Sequence, residues 1–112
     1  MLTIYHNPRC SKSRQTLALI EENNQEVCIV EYLKKPLDES TIQSLLSRLN
    51  VSPIQMMRTK ESEFKEQALA QATDKQLIEA MVNTPKLIER PIVTTQTKAI
   101  IGRPPENVLT LF

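Results

Sequence analysis

An α/β fold is predicted, with its elements in the order β-α-β, a long helical insertion, then β-β-α. Three observations predict it. Leu2-Thr3-Ile4-Tyr5 and Val27-Cys28-Ile29-Val30 are short apolar runs on either side of a helical stripe, which reads as a unit of two parallel strands joined by a helix. From Asp38 to Val82 the apolar residues recur at helical spacing. Two further apolar runs, Pro91-Ile92-Val93-Thr94 and Ala99-Ile100-Ile101, are separated only by Thr95-Gln96-Thr97-Lys98 and read as an antiparallel hairpin. The sheet is therefore expected to be mixed and four-stranded.

Each element has its own signal. Asn7-Pro8 ends the first strand, because a residue before proline is pushed out of the helical region. The helix from Ser13 to Glu22 carries Leu17, Leu19 and Ile20 as its stripe, and Asn23-Asn24 stops it. Val27 to Val30 has the unbroken apolar character of a strand covered on both faces. Cys28 is accordingly expected in the core with its ionisation suppressed; the other role weighed for it is a resolving partner for Cys10. In the insertion, Ile42, Leu45, Leu46 and Leu49 form one helical face after Asp38-Glu39. Ser52-Pro53 opens a short segment with Ile54 and Met57 expected inward. A weaker helix over Glu61 to Ala70 would bury Phe64, Ala68 and Leu69. Thr73-Asp74-Lys75-Gln76 has capping-box form ahead of Leu77, Ile78, Met81 and Val82, and Thr84-Pro85 ends that helix. Met56, Met57 and Met81 read as gap-filling core. Gly102 marks the turn out of the hairpin, and Pro104-Pro105-Glu106 opens a last helix that would dock Val108, Leu109 and Leu111 or Phe112. No repeat or flexible linker is evident, so the expectation is one domain, residues 1–112, with a helical insertion at about 38–84.

Composition excludes several classes of function. A net charge of +1 supplies no global field for nucleic acid or anionic lipid. Neither a signal-peptide pattern nor an apolar stretch of bilayer length is present, so a cytoplasmic location without membrane contact is expected. Two distant cysteines make no disulfide framework, and one histidine with no paired CxxC makes no metal site. The only glycine, Gly102, leaves no Walker loop and no dinucleotide fingerprint, and hence no nucleotide cofactor.

The chemistry is expected at Cys10, on the turn from the first strand into the first helix. Helix-start N–H groups carry partial positive charge, which favours a thiolate and can also hold an anion. Arg9, Lys12 and Arg14 add positive charge, and a buried structural cysteine would have apolar company instead. Arg58, Arg90 and Arg103 each stand where an element ends, and a guanidinium suits bidentate contact with a tetrahedral oxyanion. Spacing alone does not bring them to Cys10.

His6-Asn7-Pro8-Arg9-Cys10-Ser11-Lys12-Ser13-Arg14, with Glu89-Arg90-Pro91-Ile92-Val93 and Gly102-Arg103-Pro104, resembles the glutaredoxin-coupled arsenate reductases, the ArsC family. The resemblance runs from Leu2 to the carboxyl terminus. It implies a thioredoxin-like fold with an inserted helical region, no bound cofactor, and a monothiol reductase that turns arsenate into arsenite, with glutathione as co-substrate and glutaredoxin as partner; the chain is expected to be a monomer. It places the nucleophile on Cys10 and oxyanion binding on Arg58, Arg90 and Arg103. Pro91 takes the place of the cis-proline that faces the site in such folds, which would aim Arg90 at Cys10. Ser13 or a neighbouring backbone N–H would bond the sulfur or an oxyanion oxygen, Arg14 adds charge, and His6 would either support the thiolate or satisfy a backbone group. Ser11-Lys12 departs from the Gly-Thr pair of the plasmid resistance enzymes and puts an extra ammonium beside the thiol.

Three other readings stand beside this one. A transcription regulator of the Spx type shares the superfamily, but those acting as redox switches use a CxxC, which Ser13 removes. A thiol phosphatase needs Arg six positions after Cys, and position 16 is Thr. A thiol reductase acting on glutathione adducts would keep the fold and Cys10.

Overall fold

The computed structural model describes residues 1–112, which divide into two compact units: Met1–Lys35 with Arg90–Phe112, and Pro36–Glu89. In the first unit, β1 (Leu2–Tyr5), α1 (Ser11–Glu22) and β2 (Val27–Val30) form the expected crossover, and β3 (Ile92–Thr94) and β4 (Ala99–Ile101) form the hairpin. The sheet order is β2-β1-β3-β4, with β1 parallel to β2 and antiparallel to β3, and β3 antiparallel to β4. This is the mixed sheet of a thioredoxin-like fold, with Ile4 paired to Ile29 on one side and Val93 on the other. Leu2, Ile4, Ile20, Val93 and Val108 make its core, with Leu17, Leu19 and Ile100 packed against them. Each fully buried aliphatic side chain of this kind contributes about 1.5–3 kcal/mol relative to exposure.

Two features of this unit differ from expectation. Cys28 and Ile29 are exposed, not core. β2 is an edge strand with a neighbour on one side only, so an apolar run does not guarantee two covered faces. The last helix is a 3₁₀ helix, Pro105–Leu111; it buries Val108 and half-buries Leu111, while Leu109 and Phe112 face outward. Its three-residue turn puts Pro105 and Val108 on one line.

The second unit holds α2 (Glu39–Leu49), α3 (Ser62–Glu66) and α4 (Asp74–Asn83), with short 3₁₀ turns at Pro53–Met56, Leu69–Gln71 and Pro85–Leu87. Asp38 caps α2 by accepting the Thr41 N–H at 2.8 Å. Thr73 and Gln76 close the anticipated capping box at the start of α4. α2 buries Ile42, Leu45 and Leu46, and α4 buries Leu77, Ile78 and Met81, with Met56 and Met57 also buried. The segment Pro53–Met56 corrects one reading: Ile54 is 39% exposed and Met56 takes its place inside. A 3₁₀ turn shifts the inward positions relative to an α-helix. The helix expected over Glu61 to Ala70 breaks at Ala68, which adopts a left-handed conformation and leaves its side chain exposed, while Phe64 and Leu69 stay buried.

Candidate active site

The turn that carries Cys10 is built from its own backbone and two side chains. The Cys10 N–H donates to the Asn7 carbonyl at 3.0 Å, and the Asn7 side-chain oxygen accepts the Arg9 N–H at 3.0 Å. Ser13, fully buried, accepts the Asn7 N–H at 3.1 Å, and its hydroxyl lies 2.6 Å from His6 Nδ1. Which of the two donates follows the ring tautomer, because the Ser13 oxygen has a second lone pair free after accepting from Asn7. Burial pushes the His6 pKa below the usual histidine value; Glu31 opposes and Arg14 adds to that shift. His6 is therefore a neutral strut under the loop, anchored by its own N–H to the Val30 carbonyl at 2.8 Å. Arg14 also serves the loop, since Nη1 donates to the Pro8 carbonyl at 3.0 Å.

Cys10 is the N-cap of α1, with φ −93° and ψ 123°, and its side chain closes no capping hydrogen bond of ordinary geometry. The thiol is half-buried. Burial acts to raise its pKa, yet the outcome lies below the ordinary thiol value. The Ser13 N–H, the Arg90 guanidinium and the Lys12 N–H together favour the thiolate by more than desolvation opposes it.

Two arginines reach the sulfur from the β3–β4 hairpin's ends. Arg103 Nη2 is 3.6 Å from Cys10 Sγ, and Arg103 Nε donates to the Arg90 carbonyl at 2.8 Å. Arg90 in turn acts on the thiolate by hydrogen bonding and charge, and on the wholly buried Tyr32 in the same way. Pro91 and Pro104 both follow cis peptide bonds, the first of them at the anticipated position. The Gly102 N–H donates to the Pro91 carbonyl at 2.9 Å. A Cβ at Gly102 would lie 2.6 Å from Thr16 Oγ1 and 2.8 Å from Pro91 Cγ. Only glycine lets the strand end come this close to α1, and Arg103 is the next residue.

The structure thus brings together Cys10, Ser13, His6, Arg90, Arg103 and Pro91. Arg58 lies in the other unit, where its Nε donates to Glu61 at 2.9 Å and Nη1 stands 3.9 Å from Glu89. Three participants escaped the sequence reading. Asn7 was legible in principle, since an Asn before Pro is a common side-chain turn. Tyr32 and the Thr16–Gly102 approach left no local signal, because both arise from packing between distant segments. No group of three or more His, Cys, Asp or Glu gathers in a way that could hold a metal ion.

The ArsC family model matches residues 5–111. The chain is 52% identical over 111 residues to the uncharacterized protein YfgD of Escherichia coli K12, covering 96% of this chain and 93% of that one. It is 44% identical over 112 residues to the arsenate reductase of Haemophilus influenzae, covering 97% of each chain. The structure of the arsenate reductase from Vibrio cholerae superimposes with a TM-score of 0.95 at 43% identity, covering 99% of this chain and 97% of that one. Because the family match takes in the Cys10 loop and both Arg-Pro pairs behind it, the chain belongs to the ArsC family.

Proposed function

We propose that this protein is an arsenate reductase with Cys10 as its single nucleophile and with glutathione and glutaredoxin supplying the electrons. The observation that carries the proposal is the convergence of Arg103 and Arg90 on a thiol at the N-cap position of α1, with its pKa lowered. Thiolate attack on arsenate is attack of one anion on another. Charge-assisted bonds of roughly 1.5–3 kcal/mol each, from preset guanidinium and helix N–H donors, oppose that repulsion.

The Cys10 sulfur pair forms an S–As bond while one As–O bond breaks, and that oxygen leaves as water after protonation. A glutathione thiolate then attacks the Cys10 sulfur. The S–As pair departs with arsenic, which is reduced from the pentavalent to the trivalent state as arsenite. Cys10 is left in a mixed disulfide with glutathione, and glutaredoxin takes the glutathionyl group and frees the thiol. Position 13 is Ser, so no second cysteine stands where a self-resolving motif would carry one. Arg58 is assigned to oxyanion binding by family resemblance, in addition to its carboxylate partners.

The test is NADPH loss coupled through glutathione reductase, with glutathione and glutaredoxin present and arsenate added last. Turnover that needs both arsenate and Cys10 is expected. Arsenate reduction retained by Cys10→Ser would overturn the proposal.

A further inference from the structure

The charges on α1 oppose its dipole at both ends. Lys12 and Arg14 stand near its start, no acidic residue lies in the first turn, and Glu21 and Glu22 occupy its end. Each such placement near a terminus is unfavourable at an exposed site. No carboxylate offsets it: residues 1–20 contain no Asp or Glu, and neither Arg9 nor Lys12 makes an ion pair. Glu31, the acidic group that acts on His6, is itself paired with Lys34 at 3.4 Å.

The cations around Cys10 also divide by task. Arg103 and Arg90 act on the sulfur, and Arg14 holds the Pro8 carbonyl. Arg9 and Lys12, on either side of Cys10, are exposed, and neither side chain engages the sulfur. A net charge of +1 for the whole chain means that this concentration is local.

We infer that the exposed Arg9 and Lys12 side chains dock the carboxylates of the thiol compound that reacts with Cys10 after the oxyanion. The inference rests on the proposed function and names a property of its second step, selection of the thiol donor by charge. A donor with carboxylates near its sulfur is drawn to the rim of the site, whereas a neutral thiol is not.

The experiment reads Cys10 directly, without arsenate, in a Cys28→Ser background so that the exposed second thiol is silent. The thiolate attacks one sulfur of a probe disulfide, the S–S bond breaks, and the other sulfur leaves as a thiolate carrying the bond pair. The probes are the dianionic 5,5′-dithiobis(2-nitrobenzoate), neutral 4,4′-dithiodipyridine, and glutathione disulfide. Rates are divided by thiolate fraction, taken from the pH profile of alkylation by neutral iodoacetamide. For Arg9→Gln/Lys12→Gln at low salt, about a tenfold fall is expected with both anionic disulfides, and less than twofold with the neutral one. Added salt should erase the difference by slowing the parent and not the variant. An equal fall with all three probes, or no fall with the anionic pair, would overturn the inference. Failure of the proposed function shows separately, as a Cys10 that selects anionic disulfides without arsenate turnover.

Discussion

In α2, Asp38 caps the first turn, Glu39 follows it and Arg48 sits in the last turn, so its charges run with the helix dipole. In α1 they run against it, and the N-cap side chain is a thiol that closes no capping bond. The second unit also pairs its charges internally. Glu61 is held below the usual carboxylate range first by its hydrogen bond to Arg58, and Glu63 and Glu61 raise Lys86 above the usual ammonium value. Lys86 is exposed and Arg58, Glu61 and Glu63 are half-buried, so the Lys86 pairs count for little in stability. The contrast lies in what is left open. The helical unit meets its own electrostatic demands, while the Cys10 corner leaves helix N–H groups and guanidiniums turned toward a thiolate and an incoming anion. Local rules are broken where the chemistry is proposed to occur.

The contrast breaks most sharply at the arginines. Arg103→Ala and Arg90→Ala should each lower kcat/KM for arsenate by about 10²-fold or more, the scale of removing one preset oxyanion donor. Both should also move the Cys10 alkylation midpoint upward in pH. Unchanged turnover in either variant would leave the two guanidiniums with only a structural role.

Next in size is Gly102→Ala. The added methyl meets Thr16 and Pro91 well inside van der Waals contact, so about 1–3 kcal/mol of stability should be lost, measured by denaturant unfolding. Activity should fall with it, because Arg103 follows directly. Thr16→Ala removes both Thr16 atoms in the clash and should restore part of the loss. Equal stability of Gly102→Ala and the parent would mean that the close approach is not needed.

How much of this could be read from the chain depends on the length scale of the signal. β1, α1, the hairpin and the Thr73 capping box were legible, because a strand run, a helical stripe or a cap is written within a few residues. Cys28 was misplaced because the same apolar run serves a central strand or an edge, and only pairing decides which. Ile54 and Leu109 were misplaced because 3₁₀ turns present a different residue inward than the α-helical period does. At the site, Cys10 and its cations were visible in one loop. The convergence of Arg103 on its sulfur, the approach of Thr16 to Gly102 and the contact of Tyr32 with Arg90 join segments far apart in sequence, and no local pattern encodes them.

A smaller effect is expected from pH. His6 has its pKa lowered on folding, so the unfolded chain takes up a proton near 6.5 that the folded protein refuses. Stability contributed by the neutral ring is thus present above 6.5 and is lost as pH falls from there toward the folded value. His6→Gln cannot titrate and can still bond Ser13. Unfolding free energies of the parent should decline between pH 7 and 5 more steeply than those of His6→Gln. Parallel curves would remove His6 as the source.

The smallest effects compare the two helix starts directly. Thr73→Ala removes a working cap from α4 and should cost about 1 kcal/mol. Cys10→Ser should do the reverse at α1, because residue 10 already has the extended backbone of an N-cap and a hydroxyl oxygen accepts helix N–H bonds better than a neutral thiol. A gain of about 0.5–1 kcal/mol is expected, together with loss of activity. The gain should depend on pH in a defined direction. The Cys10 pKa is depressed on folding, so its thiolate contributes stability above the unfolded value near 9.0, and that contribution fades as pH falls through the folded value. The serine advantage is then largest in acid and shrinks as the parent's thiolate forms. A Cys10→Ser variant less stable than the parent in acid would mean that the neutral thiol already satisfies the helix start, and that α1 gives up nothing for its nucleophile.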